Sequence, residues 1–365
     1  MLHAKYDVAG KLVHLGIDAH LANLQICAVC DGAKLANFSF PAHDVSGLTV
    51  RLRKMFPDAR FSAAYEAGFS GFGLQRQLSA AGIPTIVVNP GSIPVEGRRT
   101  VKTDKIDALK VATLLYRGLL KGIRIPTPEQ EQRRELTRTR QQLVDSRKRI
   151  GNQIKMKLHY HGSWGGKKLP PMSVAFLDEL LEMPLPQELK TVISSLAAVW
   201  RELARQIKEL EKNFCDDAKG SSSSKISDRQ RRIIAIYRSA PGVGDLSAHI
   251  FANELGDMSQ FANERQLSSY CGLTPSEYSS GEKRHQGHIT RQGTSRIRHI
   301  MTEVSWRAIR YDTHLRLTYT RIAARRGGKR AILAVARRML GHIRSCLLND
   351  VEYRISRGGA DSEPA

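Results

Sequence analysis

Four acidic residues in the first third of the chain stand where carboxylates could hold a metal ion. Asp18 ends an apolar run, LGID, and Glu66 ends a second apolar run, AAYE. Asp104 and Asp107 open a helical pattern, and residues three apart lie on one face of a helix. Taken singly, each carboxylate is better explained as a helix cap, a favourable first-turn charge or a strand-end surface residue. Together, in a basic chain, they predict a site for Mg²⁺ or Mn²⁺, ions that assist phosphodiester cleavage.

The charge of the chain points to a polyanionic partner. Its 365 residues include 57 Lys and Arg against 35 Asp and Glu, a formal net charge of +22. Such a field attracts nucleic acid or an anionic membrane. No apolar run reaches the roughly 18–20 residues of a membrane-spanning helix, so we expect nucleic acid and no membrane. The five cysteines are few, odd in number and scattered, which is typical of a cytoplasmic protein.

The carboxylates are positioned by a predicted mixed α/β domain. Short apolar or alternating runs predict strands, and helical patterns lie between them or follow them. The strands cover 12–17, 24–30, 35–40, 60–65 and 84–88, and the helices cover 44–55, 71–81 and 104–120. If the first and fourth strands are neighbours in the sheet, their ends bring Asp18 and Glu66 together.

The chain changes character after about residue 130. Residues 133–168 hold eleven Lys and Arg against two acidic residues on a largely helical pattern. A second helix carries an apolar residue at steps of four and three, namely Leu189, Ile193, Leu196, Trp200, Leu203, Ile207, Leu210 and Phe214. This seam is typical of a coiled coil. It fits a helical hairpin within the chain, and it also fits self-association.

We therefore expect three folded segments, a linker and a tail. The boundaries are 10–125 for the α/β domain, 126–218 for the basic coiled-coil domain, 219–230 for a Ser-rich linker, 231–350 for a helical C-terminal domain and 351–365 for a disordered tail. Within the C-terminal domain, residues 283–344 carry sixteen Lys and Arg against two acidic residues. This excess of positive charge predicts contact with nucleic-acid phosphates.

Several individual residues are candidates for that contact. The turn Pro241-Gly242-Val243-Gly244 lies between two helical patterns, where it could present backbone N–H groups to a phosphate or serve as a plain structural turn. The predicted nucleic-acid-binding residues are Arg98, Arg99, Lys102, Gly242, Gly244, Lys283, Arg284, Arg291, Arg296 and Arg298.

The order of the motifs GID, YEAG, KTDKIDA, PGVG and GLTPSEYSSGEKRHQGHITRQGTSRIRH resembles the DEDD-type transposases of the IS110 class of bacterial insertion sequences. The resemblance covers roughly residues 12–345. It implies an α/β plus α fold, with a RuvC-like (RNase H-like) N-terminal domain, a helical coiled-coil insert and a mostly helical C-terminal transposase domain. It also implies that Asp18, Glu66, Asp104 and Asp107 are catalytic ligands of Mg²⁺.

The function that the resemblance implies is a DNA recombinase that cuts and rejoins strands through a serine. The nucleophile matches Ser280 in the sequence Tyr278-Ser279-Ser280-Gly281, with Ser279 as the neighbouring alternative. In this family a structured non-coding RNA pairs with target and donor DNA, and the carboxylates of one protomer meet the serine of another. We therefore expect DNA and guide RNA as partners, and a dimer or tetramer joined through the coiled coil.

Two other functions compete with this one. A metal-dependent nuclease resembling a Holliday-junction resolvase would use the same carboxylates to activate water, and Ser280 would be structural. The long basic C-terminal domain disfavours that minimal enzyme. A non-catalytic scaffold that binds nucleic acid would need neither the carboxylates nor Ser280, but the four acids at strand and helix ends disfavour it.

Phe, Trp and Tyr make up only 6% of the chain, so sequence recognition by a guide RNA fits better than base stacking by the protein.

Overall fold

The structure is a computed structural model that describes residues 7–93, 103–166, 168–218, 226–280, 283–290 and 292–356. The chain divides into two compact units, of which the first ends at Pro126 and the second begins at Thr127. Among the described residues, no helix is both long enough and apolar enough to cross a bilayer.

The first unit is a mixed α/β structure, as predicted. Its elements are β1 (Leu12–Ala19), β2 (Asn23–Cys30), β3 (Ala33–Pro41), α1 (Val45–Met55), β4 (Arg60–Glu66), α2 (Gly73–Ala80), β5 (Thr85–Val88) and α3 (Asp104–Tyr116). The five strands form one sheet in the order β3-β2-β1-β4-β5. The first three strands are antiparallel neighbours, whereas β4 runs parallel to both β1 and β5.

Helices cover both faces of this sheet. Ile26 of β2 belongs to the core that α1 and α2 complete on one face. Cys27, the next residue, packs with Ala108 and Ala112 of α3 on the other face. A strand that is buried on both faces needs apolar residues at successive positions, which explains the run LQICAVC.

The second unit is mostly helical. Its elements are α4 (Pro128–Tyr160), α5 (Val174–Glu182), α6 (Gln187–Ala218), α7 (Asp228–Ser239), α8 (Asp245–Leu255), α9 (Glu264–Tyr270), β6 (Pro275–Ser280), β7 (Lys283–Ile289), α10 (Ser295–Tyr311), α11 (Thr313–Arg326) and α12 (Gly328–Leu348). The apolar seam of α6 faces inward, because Ile193 and Trp200 share a core with Ile154 and Leu158 of α4. The two long helices therefore pack as a hairpin within the chain.

Three details of this unit differ from the sequence predictions. The segment expected to be mostly helical also contains the hairpin of β6 and β7, whose strands were not among those predicted. The expected linker ends earlier than residue 230, because Ser227 caps α7 by accepting a hydrogen bond from the Gln230 amide. The expected disordered tail starts later than 351, because Tyr353 is buried and its amide donates to Ser239 Oγ at 2.8 Å. Residues 219–225 and 357–365 lie outside the described residues.

Candidate metal centre

The carboxyl ends of β1 and β4 lie side by side. The first and fourth strands are therefore neighbours in the sheet, which is the arrangement that would bring Asp18 and Glu66 together. Ile17 of β1 is paired with Tyr65 of β4 in parallel register. Asp18 and Glu66 are the next residues of these strands. Strand pairing therefore brings two of the four predicted carboxylates to the same edge of the sheet.

A glycine allows α3 to lie directly on β1. A Cβ atom on Gly16 would come within 2.1 Å of the Ala108 carbonyl oxygen and 2.2 Å of the Ala112 amide nitrogen. Ala108 and Ala112 are fully buried, so small residues on both elements permit the close approach. The first turn of α3, which carries Asp104 and Asp107, is thereby held beside the end of β1.

Three side chains converge at this edge. Nε2 of His20 lies 3.3 Å from Oδ2 of Asp18 and 3.2 Å from Oδ2 of Asp104. One potential ligand atom of each residue lies within 4.8 Å of the other two. Carboxylates are the ligands that Mg²⁺ and Mn²⁺ prefer, and an imidazole also suits transition metals. The donor set therefore fits a divalent cation.

The other two predicted ligands lie close to this cluster without belonging to it. Among the described residues, the three-residue cluster includes neither Glu66 nor Asp107. Glu66 is exposed at the end of β4, and Asp107 is partly exposed one helical turn after Asp104. Asp107 nevertheless contributes electrostatically, because its charge acts on Asp18.

The surroundings of Asp18 hold the pKa of its carboxyl above the ordinary value. Burial is the largest cause, and the charges of Asp104 and Asp107 act in the same direction. His20 acts in the opposite direction through its charge and a hydrogen bond. A divalent cation would remove the repulsion among these carboxylates. The electrostatics therefore favour the same ligand as the donor geometry.

A polar chain ties the first turn of α3 to the sheet. Gln25 lies opposite Asp18 in the pairing of β1 with β2, and it is almost fully buried. Its amide donates to Asn37 Oδ1, and Nδ2 of Asn37 donates to the Lys105 carbonyl oxygen at 3.0 Å. These hydrogen bonds fix the helix start that carries Asp104.

The hairpin of β6 and β7 presents the predicted serine at its closed end. Ser280 is the last residue of β6 and is paired with Lys283, while Ser279 is paired with Arg284. The backbone register therefore brings two predicted basic residues beside the two candidate nucleophiles. Arg98, Arg99, Lys102 and Arg291, which were also predicted to bind nucleic acid, lie outside the described residues.

Two other predicted basic residues make contacts within the protein. Nη1 of Arg296 lies 2.9 Å from Oε1 of Glu254, whose side chain is 1% exposed. Arg138 of α4 donates to both oxygens of the same carboxylate, at 2.9 and 3.0 Å. Nη1 of Arg298 donates to the Gly272 carbonyl oxygen at 3.4 Å. Nucleic-acid contact stays a prediction for Arg296 and Arg298, but both have a structural role.

The turn before α8 is explained by packing. Gly242 has a φ of +78°, and a Cβ there would lie 2.8 Å from the Val304 carbonyl oxygen of α10. Gly244 is the N-cap of α8, and Asp245 in the next position already places negative charge at this helix end. Asp245 is itself ion-paired with Arg238 at 3.0 Å. This geometry favours a structural turn over a phosphate-binding one.

Comparison with known proteins places these features in a family. Residues 15–161 match a transposase profile of the DEDD type of the IS110 class, and residues 235–320 match the profile described as Transposase IS116/IS110/IS902 family. The candidate metal centre lies within the first matched region, and the hairpin carrying Ser280 lies within the second.

Individual relatives agree with the profiles. The chain is 33% identical to y4rJ of Sinorhizobium fredii, a candidate transposase, over 79% of this chain and 77% of that protein. It is 30% identical to y4qE of the same organism, also a candidate transposase, over 66% of this chain and 57% of that protein. It is 27% identical to the transposase for insertion sequence element IS1111A of Coxiella burnetii, over 76% of this chain and 75% of that protein. These similarities show that the chain belongs to the IS116/IS110/IS902 family of transposases.

Proposed function

We propose that this transposase cuts and rejoins DNA strands with Ser280 as the nucleophile and with a divalent cation held by Asp18, Glu66, Asp104 and Asp107. The observation that carries the proposal is the convergence of Asp18, His20 and Asp104 at the edge of the sheet. That convergence lies in the part of the chain that matches the DEDD-type profile. It is what an enzyme acting on phosphodiesters needs.

The residues of the centre have distinct tasks. Asp18 and Asp104 hold Mg²⁺ or Mn²⁺, and Glu66 and Asp107 complete the set. When bound, the ion supplies positive charge to the phosphate oxygens and favours the ionised form of an attacking hydroxyl. Gly16 and the Gln25–Asn37 pair keep α3, and with it Asp104, against β1.

The serine chemistry conserves the number of phosphodiester bonds. The Ser280 hydroxyl gives up its proton to a base, and its oxygen attacks phosphorus. The bond from phosphorus to the leaving DNA oxygen breaks, and that oxygen takes up a proton. A later attack by a DNA hydroxyl reverses these steps and frees Ser280, so rejoining needs no ATP. A serine hydroxyl is a weak nucleophile, which is why an activating group is required.

The same proposal covers the partners and the assembly. A structured guide RNA pairs with target and donor DNA, the first unit has the RuvC-like fold, and the α4–α6 hairpin contributes a coiled coil to a dimer or tetramer in the cytoplasm. The basic stretches at 133–168 and 283–344 support contact with nucleic-acid backbones. Because the seam of α6 is buried against α4, assembly would use other faces of the hairpin.

A second candidate function is a metal-dependent nuclease that attacks DNA with activated water. The observation that favours it is that Asp18, His20 and Asp104 gather within the first unit alone. In this function Ser280 would have no chemical task.

Replacement of the two serines separates these functions. We expect Ser280→Ala to abolish both DNA cleavage and the covalent protein–DNA adduct on a substrate with a nick near the cleavage site. Ser279→Ala is the matched control, because Ser279 carries the neighbouring hydroxyl and is the alternative nucleophile. It should keep the adduct. Undiminished cleavage by Ser280→Ala without an adduct would exclude the serine mechanism and support the nuclease.

A further inference from the structure

An open cavity of about 970 Å³ lies in the second unit, and Thr274, the residue directly before β6, is part of its lining. Its walls come from α9, α11, α12 and the segment that follows α12. Five arginines line it, namely Arg265, Arg321, Arg337, Arg338 and Arg354. The lining carboxylates are Glu264 and Asp312, so the wall carries a net charge of +3 with its histidines neutral. We refer to it as the arginine cavity.

Among the described residues, the arginines of this cavity have no ion-pair partners. Within the described part of the chain, none of the five makes an ion pair or a side-chain hydrogen bond. No ion pair joins Asp312 to any of the five, and its buried carboxylate accepts hydrogen bonds from the amides of Leu315 and Ser356. Glu264 lies over Gly341, where its carboxylate would contact an added Cβ. The positive charge of the cavity is therefore available to an external anion.

Arg337 makes the need for an anion most evident. Its side chain is partly buried, and burial lowers the pKa of its guanidinium. Removing a charge from water without a partner costs free energy. Elsewhere in the same unit, Arg138 and Arg296 share Glu254 when they are partly buried. Among the described residues Arg337 has no such partner, so a bound anion would supply the missing counter-charge.

We propose that the arginine cavity binds the phosphodiester backbone of a nucleic-acid strand. The planar guanidinium matches phosphate oxygens in two-pronged hydrogen bonds, and hydroxyls of the wall such as Thr318 and Ser345 are further phosphate ligands. Ligand pockets of about 300–1,000 Å³ take molecules of nucleotide size, so the cavity holds a strand segment rather than a duplex. This inference rests on the proposed nucleic-acid partners, and it adds where in the molecule one strand is held.

Binding by charge-matched variants of the full chain tests this proposal. The probes are a short fluorescent single-stranded RNA and a DNA of the same sequence, titrated in EDTA. We expect Arg337→Gln to weaken binding about tenfold and to reduce the salt dependence by about one phosphate contact. Arg325→Gln is the matched control, because Arg325 is an exposed arginine of α11 that does not line the cavity. It should change affinity by less than about threefold.

A second pair of variants, at exposed positions, separates a loss of binding from a loss of folding. Arg321 is exposed at the rim, so Arg321→Glu reverses a charge without touching the core, and Arg325→Glu is its control. Weaker binding of RNA alone, of DNA alone or of both supports the cavity and identifies the strand. Equal effects of the cavity and control variants on both probes would overturn it. Because EDTA removes the metal and no bond is broken, failure of the Ser280 mechanism leaves this result unaffected.

Discussion

At the scale of single residues, His20 is the unexpected member of the candidate metal centre. It lies within 3.3 Å of both Asp18 and Asp104. The carboxylates could be predicted because they end apolar runs or open a helix. His20 could not, because a histidine two residues after a strand-end carboxylate is common in ordinary surfaces. His20 meets a second carboxylate, that of Asp104, only because α3 packs against β1 in the folded unit.

Replacing His20 tests whether its imidazole joins the ligands. We expect His20→Gln to weaken Mn²⁺ binding about tenfold, as loss of a ligand or its supporting partner does. We also expect it to remove the nitrogen coupling from the pulsed-EPR spectrum of bound Mn²⁺. His43→Gln, an exposed histidine of the same unit, should leave both unchanged. Nitrogen coupling that persists in His20→Gln would contradict this role.

Glu254 is a second residue whose structural importance could not be predicted from the sequence. Burial alone would raise the pKa of its carboxyl, but the hydrogen bonds and charge of Arg138, with the charges of Arg134 and Arg296, outweigh burial and hold the pKa below its ordinary value. In the sequence it is one acidic residue in the helical run DLSAHIFANEL. Its importance comes from α4 and α10, which bring three arginines to one carboxylate.

The lowered pKa of the Glu254 carboxyl determines how its contribution to the free energy of unfolding changes with pH. The stabilisation by Glu254 is complete above the ordinary glutamate pKa of 4.5 and is lost as the pH falls through the lower pKa of the folded state. We expect Glu254→Gln to lower the free energy of unfolding by about 3–5 kcal/mol at neutral pH. The difference from the parent protein should shrink below pH 4.5.

Tryptophan fluorescence in a urea titration measures this effect, because Trp164, Trp200 and Trp306, the three tryptophans of the chain, all lie in the second unit. Glu303→Gln, an exposed change on α10, should have almost no effect at any pH. If the loss of stability in Glu254→Gln did not depend on pH, the shape of the side chain rather than its charge would be responsible for the stabilisation.

At the scale of elements, the fold could be predicted where apolar residues mark one face. The strands and helices of the first unit follow alternating or helical patterns, and the seam of α6 follows its heptads. The hairpin of β6 and β7 could not be predicted, because PSEYSS and KRHQGHI have almost no apolar alternation. Polar, charged strands of this kind resemble loops to any method based on periodicity.

The contact between β1 and α3 is the feature of the fold on which the candidate metal centre depends. We expect Gly16→Ala to destabilise the first unit by about 1–3 kcal/mol, because the added Cβ overlaps backbone atoms of α3. Since Asp104 moves with α3, Mn²⁺ affinity should fall as well. Gly73→Ala is the control, because a Cβ there meets nothing within 4 Å. Circular dichroism during heating and an Mn²⁺ titration measure both effects. Unchanged Mn²⁺ binding in Gly16→Ala would contradict the positioning role.

At the scale of the whole molecule, the charge of +22 is divided between internal pairing and free surface. Arg138 and Arg140 lie in the basic stretch at 133–168, yet they pair with Glu254 and Glu211. The arginines of the cavity have no such partners among the described residues. Composition predicts the polyanionic partner. It cannot tell the arginines that pair within the protein from those that do not, because the pairing depends on which helices pack together.

In the proposed function, the carboxylates at the sheet edge hold the ion that strand breakage needs. Asp18→Asn removes one of those charges without changing shape, and Asp58→Asn makes the same change at the other end of β4, where the φ of 56° suits asparagine. The direct measurement is Mg²⁺-dependent DNA strand breakage by the two variants of the full chain. We expect Asp18→Asn to bind nucleic acid in EDTA like the parent but to break no strands, whereas Asp58→Asn should retain both properties. Strand breakage by Asp18→Asn at the parent rate would contradict the proposed function.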